Sequence, residues 1–391
     1  MEDIRFYDFE GTLKHIEHDI VSANWTFHYN EAGSFELHYA LGSALTAAAA
    51  QNQYLLAVQG NKQAVVTGKQ FTEEAVLYGR TVNWLLTRFV VPEFFDTETL
   101  FADGKLPAKD ARTVGEYLVR SAFSNAGGFV IGGDAPDLVF EGTPAADYGE
   151  VSLENKAVTP LSDLLTSCME KAGGGHAMRY DLVNKRWVLE FLKGQSLPLT
   201  ISEGNRNAYE TEYTEELQDY FGGGWFEKPY ADMGDWDSKE NSPRLTSPNA
   251  ANYGKKYRVS VGGGRLGGIL FEEGKYLIFP DETGTAAQTD SANGYLVHLP
   301  SAQTGIYAWE TALSGASEAE ASEDLKKRGL KKQSSAKTRG LTCWKDYSPG
   351  DLVRVEVSKG AFAVAEEKRI TGVNIWYENN ETGEQPIFEE D

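Results

Sequence analysis

A period-two alternation of large apolar side chains near the N-terminus constrains this chain most. Trp25, Phe27 and Tyr29 alternate with Thr26, His28 and Asn30; the turn Glu31-Ala32-Gly33 follows, and Phe35, Leu37, Tyr39 and Leu41 resume the alternation. Side chains of an extended strand point to opposite faces in turn, so such a run lays one apolar face on a core and leaves one polar face outward. Two runs joined by a short glycine-containing turn predict a hairpin. A second hairpin is predicted at 54–58 and 64–67, turning through Gly60-Asn61-Lys62, and Trp84, Leu85 and Leu86 close this all-strand segment after Gly79-Arg80. Residues 1–93 therefore read as a compact β domain.

Between 94 and 205 the period changes. Val114, Leu118 and Ala122 share one face of a helix starting near Arg112 and ending before Asn125-Ala126-Gly127. A second helix is predicted over 160–172, with Thr159 as N-cap, Pro160 at the first helical position and Gly173 in the left-handed C-terminal conformation. Leu161, Leu164, Leu165, Cys168, Met169 and Ala172 form its apolar stripe. A hairpin across Asn184-Lys185 then sets Met178, Tyr180 and Leu182 against Trp187, Leu189 and Phe191. This region reads as α+β.

Strands return over 206–391, interrupted at about 222–300. The stretch 222–252 holds three consecutive glycines, Asp232, Asp235, Asp237 and three prolines, and reads as an extended loop or insertion. Residues 262–268 read as a flexible glycine-rich link before a hairpin near 269–279. A helix over 317–328 places acids first and bases last, matching its dipole. Val353, Val355 and Val357, then Val373 and Ile375, mark closing strands. The fold class is α+β, mainly β.

A chain of 391 residues, 41% apolar and 12% aromatic, is long enough for several domains and apolar enough for real cores. No run of about eighteen apolar residues is present to span a bilayer. The N-terminus lacks the basic and apolar segments of a secretory signal, so synthesis and folding in a cytoplasm are expected and the two Asn-x-Thr matches, at Asn24 and Asn380, carry little weight. With 37 basic against 58 acidic residues the net charge is −21. Such a charge opposes binding to a nucleic-acid backbone, which needs clustered Lys and Arg. It suits a solvated surface, or a channel through which DNA slides without sticking.

The residue types that carry catalysis fall in no diagnostic spacing. Cys168 and Cys343 are too few for a disulfide framework or cysteine metal site, and Cys168 lies in an apolar stripe. Of six histidines, His15 and His18 are three apart without a third ligand, and His28 and His38 fall on the polar side of the first hairpin. Asp232, Asp235, Asp237 and Glu240 lack the glycine-centred ligand order of a calcium loop, and Asp281-Glu282-Thr283-Gly284 reads as a turn. The run at 262–267 lacks the strand, helix and later acid of a dinucleotide site, and neither a nucleophile elbow nor a phosphate loop is present. Paired carboxylates of a glycoside hydrolase are spatial rather than sequential and cannot be picked from 58 acids. The expectation is no catalytic, metal or cofactor residue and a non-enzymatic role.

Three passages resemble one family. They are Ile4-Arg5-Phe6-Tyr7-Asp8 with Trp25 through Leu37; Tyr78-Gly79-Arg80 with Leu85-Leu86-Thr87-Arg88; and Tyr347-Ser348-Pro349-Gly350-Asp351-Leu352-Val353 with Arg369-Ile370-Thr371-Gly372-Val373. Together they resemble the baseplate or tail-tip hub proteins of long-tailed siphophages and phage-tail-like particles. The resemblance implies two tail-tube-like β-barrel domains, at 1–93 and 206–391, flanking an α+β domain at 94–205, the second barrel carrying the 222–300 insertion. It implies a homotrimeric ring capping the tail tube at the distal tip of the virion, made in the cytoplasm of a bacterial host. The implied partners are the distal tail protein, the tape-measure protein and other tail-tip or receptor-binding proteins, with DNA passing through the lumen and the host surface met indirectly. No cofactor is implied, and because the chain ends soon after 369–377, no attached lysin is expected. Two alternatives stay open: a tail-tip cell-wall or polysaccharide hydrolase, and a glycan-binding module using an exposed aromatic such as Trp225 or Trp236.

Overall fold

The computed structural model describes residues 2–125, 138–217, 220–227, 230–280, 282–290, 294–298, 309–314 and 318–390. The turn expected after Asn125, Asp281 of the expected 281–284 turn and the first residue of the 317–328 helix lie outside the described residues. The chain forms two compact units, Met1–Tyr213 with Gln333–Glu389, and Thr214–Lys332 with Glu390–Asp391. Both are rich in strand, and the fold is mainly β with a few helices.

The first unit is organised by one thirteen-stranded sheet. Its N-terminal strands are β1 (Ile4–Tyr7), β2 (Leu13–Glu17), β3 (Ile20–His28), β4 (Ser34–Tyr39), β5 (Leu55–Gln59), β6 (Lys62–Phe71) and β7 (Ala75–Thr81). They lie in the order β2-β1-β5-β6-β7-β4-β3, and β3 then pairs with the long strand Phe362–Glu378. Trp25 stands opposite Phe35 on β4 and opposite Ile375 on the long strand. The alternating face read from the sequence is the core face: Trp25, Phe35, Leu37, Leu55, Ala57 and Val66 pack with Val353, Val355, Val357, Ile370 and Val373 in one buried cluster. N- and C-terminal segments thus complete one another's apolar face.

Strand β5 shows why its sequence does not alternate. All five of its positions are buried. Leu55 and Ala57 face the core just described, while Leu56 and Val58, with Val65 of β6, face a second core built by the α+β region. A strand covered on both faces calls for a continuous apolar run.

That second core joins the helices Ala111–Asn125 and Leu161–Lys171 to a three-stranded sheet. Gly175–Asp181 pairs antiparallel with Arg186–Leu192, setting Met178 against Leu189 and Tyr180 against Trp187 as the alternation predicts. Leu138–Gly142 adds in parallel to the far side. Two details differ from the expectation. The second helix begins at Leu161, without a side-chain cap, because the Thr159 hydroxyl donates to Asn155 Oδ1 at 2.8 Å instead. The Trp84-Leu85-Leu86 segment is a 3₁₀ helix, Val82–Arg88, not a strand; Val82, Leu85 and Leu86 all turn into the second core, a spacing of three and four rather than two.

The second unit holds two small cores. Ala231–Asp237, Lys255–Val261, Tyr276–Ile278 and Ala287–Thr289 form a four-stranded sheet around Trp236, Tyr257, Phe271 and Phe279. Gly223–Glu227 pairs with Gly294–His298 and Glu310–Ala312, and its Phe226 packs on Ala321 and Leu325 of the helix Glu318–Lys326. The polar stretch 222–252 is therefore not simply a loop, because buried Phe226 and Trp236 anchor two strands within it. Nor are the glycines of 262–268 a flexible link. A Cβ on Gly264 would stand 1.6 Å from the Ser238 carbonyl oxygen, so glycine there permits two backbones to touch. Among the described residues no helix is long and apolar enough to cross a membrane.

Candidate functional site

Three stretches of the first unit meet at Tyr29, just past the end of β3. The Tyr29 hydroxyl donates to the Leu192 carbonyl at 3.1 Å and accepts the Gly194 amide at 3.0 Å. Its ring is enclosed so tightly that a Cβ on Gly175 would lie 2.5 Å from it and one on Gly350 2.3 Å. Gly350 also has φ of +102°, a conformation few other residues adopt. Burial pushes the phenol pKa up, so it remains a neutral donor. Beside it, the Asp351 carboxylate accepts the amides of Gln195 and Ser348, both at 2.8 Å.

A second set of contacts closes a strand edge. Gly175–Asp181 is the outer strand of its sheet, yet two amide side chains take the place of a neighbouring strand. Asn83 Oδ1 accepts the Met178 N–H at 2.6 Å, while Asn83 Nδ2 donates to the carbonyls of His176 and Glu31 at 3.2 and 3.3 Å. Gln63 repeats the pairing two residues on, accepting the Tyr180 N–H at 2.8 Å and donating to the Tyr180 carbonyl at 2.9 Å. Both amides are fully committed to backbone, the groups that cost most when left unpaired.

Over this junction lies a cavity of about 770 Å³, lined from all three stretches. Phe27 and Trp344 meet edge to face on its wall, ring centres 5.0 Å apart. Trp344 is 39% exposed and has φ of +63°, a left-handed conformation unfavourable for a bulky side chain. It is held there by its N–H to the Tyr347 carbonyl at 2.7 Å and by Asp346, whose carboxylate accepts the Thr342 amide at 2.8 Å. The charged lining is balanced and mostly engaged. Arg179 pairs with Glu190 and Glu141, both at 2.7 Å, and Lys193 donates to the Asp147 carbonyl.

Most residues singled out from the sequence are accounted for by local structure. His15 lies 3.3 Å from Glu17, His18 2.8 Å from Asp3, and His38 between Glu36 and Glu74 at 2.8 and 3.1 Å. Hydrogen bonds to those two carboxylates, Glu36 foremost, raise the His38 pKa, whereas burial lowers that of His28. Asp232 and Asp237 cap backbone amides of their own turns. Among the described residues no group of three or more His, Cys, Asp or Glu is placed to hold a metal ion. Cys168 and Cys343 are buried, and burial pushes the Cys168 thiol up to about 12 and Cys343 higher than usual too, so neither is a ready thiolate. Trp236, offered as an exposed aromatic, is fully buried, and its indole N–H donates to Asn241 at 3.1 Å; Trp225 is half-buried and donates to Glu310 at 2.8 Å. The tryptophan that lines the cavity is Trp344, which sequence reading passed over because nothing in Cys343-Trp344-Lys345-Asp346 announces a left-handed residue.

The large sheet itself ends openly. Its terminal strands are β2 at one end and Ala208–Glu216 at the other, with Ser196–Ser202 outermost on the Leu352–Lys359 branch. None of the three has a second described strand beside it. β2 presents Leu13, 45% exposed, with Lys14 and His15; Ala208–Glu216 presents Glu210 and Glu212 on its part within the first unit.

No protein-family model and no curated protein matches this chain. Among solved structures it is similar to the 43 kDa tail protein of prophage MuSo2 from Shewanella oneidensis, with a TM-score of 0.51 and 10% identity over 99% of this chain and 98% of that one. It also aligns with the tail protein from Neisseria meningitidis MC58, at a TM-score of 0.48 and 10% identity, covering 100% and 96% of the two chains. Prophage tail protein gp18 from Listeria monocytogenes EGD-e aligns at 0.48 and 12% identity, covering 99% and 94%. The first likeness establishes the fold: this chain has the fold of a prophage tail protein.

Proposed function

We propose that this chain is the structural hub of a phage tail tip or baseplate, three copies forming a ring that caps the distal end of the tail tube. The observation that carries the reading is the open ends of the large sheet, in a chain with a tail-protein fold. Unpaired strand edges invite pairing with another chain, and a closed ring of copies removes them. Both kinds of terminal strand are polar, Lys14 pairing with Asp8 and His15 lying beside Glu17 on one and Glu210 and Glu212 standing on the other, and head-to-tail contact between copies is the arrangement that a closed ring of three uses. In such a ring the partners are the distal tail protein above, the end of the tape-measure protein within, and receptor-binding components outside. The net charge of −21 suits a lumen through which DNA passes without binding. We assign the chain no enzymatic role.

Native mass spectrometry and imaging of the purified protein test the proposal. A particle of three times the 43.1 kDa chain mass, with three-fold symmetry, is expected. A stable monomer at micromolar concentration overturns it. One observation favours a second reading, a cell-wall hydrolase. Among the described residues Glu170 is the one carboxyl whose pKa is raised, by burial and then by the charge of Glu31. Cleavage of peptidoglycan by the purified chain, lost in Glu170→Gln, would establish that reading in place of the first.

A further inference from the structure

We propose that the cavity beside Trp344 is a binding site for a neutral oligosaccharide, an inference that neither needs the ring nor follows from it. Its volume of about 770 Å³ falls within the roughly 300–1,000 Å³ typical of small-ligand sites. The indole of Trp344 is partly exposed on the wall, in a backbone conformation that costs energy. The indole is itself a flat apolar surface of the kind that packs against the C–H face of a sugar ring, and Phe27 stands nearly perpendicular to it as a second apolar wall. Around it are side chains that make no hydrogen bond among the described residues: the His28 imidazole, the Asn61 and Gln195 side-chain amides and the Lys345 ammonium. Amide and imidazole groups both donate and accept, as hydroxyl-rich ligands require.

Charge narrows the class. The lining carries three cations (Arg179, Lys193, Lys345) and three anions (Glu190, Asp346, Asp351), for no net charge. Arg179 and Lys193 are already engaged, so a phosphate or sulfate would meet one free ammonium rather than the cluster of cationic donors such groups call for. His28, its pKa lowered by burial, is neutral at pH 7 and adds no charge. A lipid chain would need a drier lining than one carrying these free polar groups.

The test uses the full chain and two defined probes, the β-1,4-linked tetramer of N-acetylglucosamine and maltotetraose, titrated by calorimetry against wild type, Trp344→Ala and Gln195→Ala. One probe or both should bind once per chain, with affinity about tenfold weaker or worse in Trp344→Ala. Gln195→Ala should weaken binding without moving the thermal midpoint, since the exposed side-chain amide makes no hydrogen bond among the described residues and the backbone bonds of Gln195 are kept, which separates lost recognition from lost folding. Failure of wild type to bind either probe overturns the proposal. So does binding that both variants leave unchanged, or binding seen only with heparin, a polyanion. A ring in which a second copy fills the cavity would abolish sugar binding while leaving the trimeric mass intact, and a monomer that binds sugar would sink the hub while sparing this site.

Discussion

Two kinds of strand edge coexist in the first unit. The edge of Gly175–Asp181 is finished from within, by Asn83 and Gln63, whose amides reproduce the hydrogen bonds of an absent strand. The edges of β2 and Ala208–Glu216 receive no described strand and carry charged side chains instead. Backbone groups impose the same demand at both places. Where the chain meets that demand itself, the edge is a joint between layers of one unit. Where it leaves water to meet the demand, the edge stays available to another chain. The contrast predicts that changes at the first edge act on folding and changes at the second act on assembly.

The largest expected effect is at the closed edge. Asn83→Ala would strip a buried N–H and two carbonyls of their partners in a site with little access for water. Unpaired buried groups cost about 1–3 kcal/mol each, partly relieved by relaxation, so a loss of roughly 3 kcal/mol in unfolding free energy is expected from denaturant titration. Gln63→Ala makes a finer test, because Gln63 is only half-buried and water can replace it; about 1 kcal/mol is expected. Equal losses from the two substitutions would break the view that burial, not bond number, makes this edge a joint.

The closed edge also carries a pH signature. His176, whose carbonyl Asn83 holds, is completely buried, and desolvation lowers its pKa to about 4. The unfolded chain takes up a proton near pH 6.5 and the folded chain only near 4, so the unfolded state binds more protons between those values. Stability from this group is complete above pH 6.5 and is lost as pH falls toward 4, by roughly 3 kcal/mol across the window. His176→Phe should flatten that part of the stability profile, measured by urea unfolding at several pH values. An unchanged slope would show that the histidine finds a way to charge in place, and that this joint is wetter than its burial implies.

How far the sequence foretells this depends on how local each cause is. The hairpin of β3 and β4 and the pairing of Met178 and Tyr180 with Leu189 and Trp187 were legible, because alternation is a direct imprint of a one-sided core. The 3₁₀ helix at Val82–Arg88 was not, since a short apolar run reads alike in strand and helix. The junction was legible only in part. Tyr29 stands out as an apolar-face residue, but its hydroxyl partners lie 163 and 165 positions away. Asn83 looks like any turn residue until the strand it completes is in place. Trp344 owes its exposure to a backbone angle that no residue type there requires. Long-range partners and unusual angles are set by the finished fold, and a linear pattern carries neither.

The smallest effect on stability should accompany the largest effect on assembly. Leu13 sits on β2, is 45% exposed, and its side chain belongs to neither core of the first unit. Leu13→Glu therefore removes little buried surface, and the unfolding midpoint of the single chain should shift by no more than about 0.5 kcal/mol in free energy. At an edge that meets the glutamates of Ala208–Glu216 from a second copy, the same change puts a carboxylate among carboxylates where Leu13 offers an apolar contact. Native mass should fall to that of one chain while the fold persists. If Leu13→Glu unfolds the protein instead, β2 is a joint like Gly175–Asp181 and the contrast between the edges disappears. If it leaves both fold and mass unchanged, the copies meet elsewhere, and the Ser196–Ser202 edge becomes the next place to look.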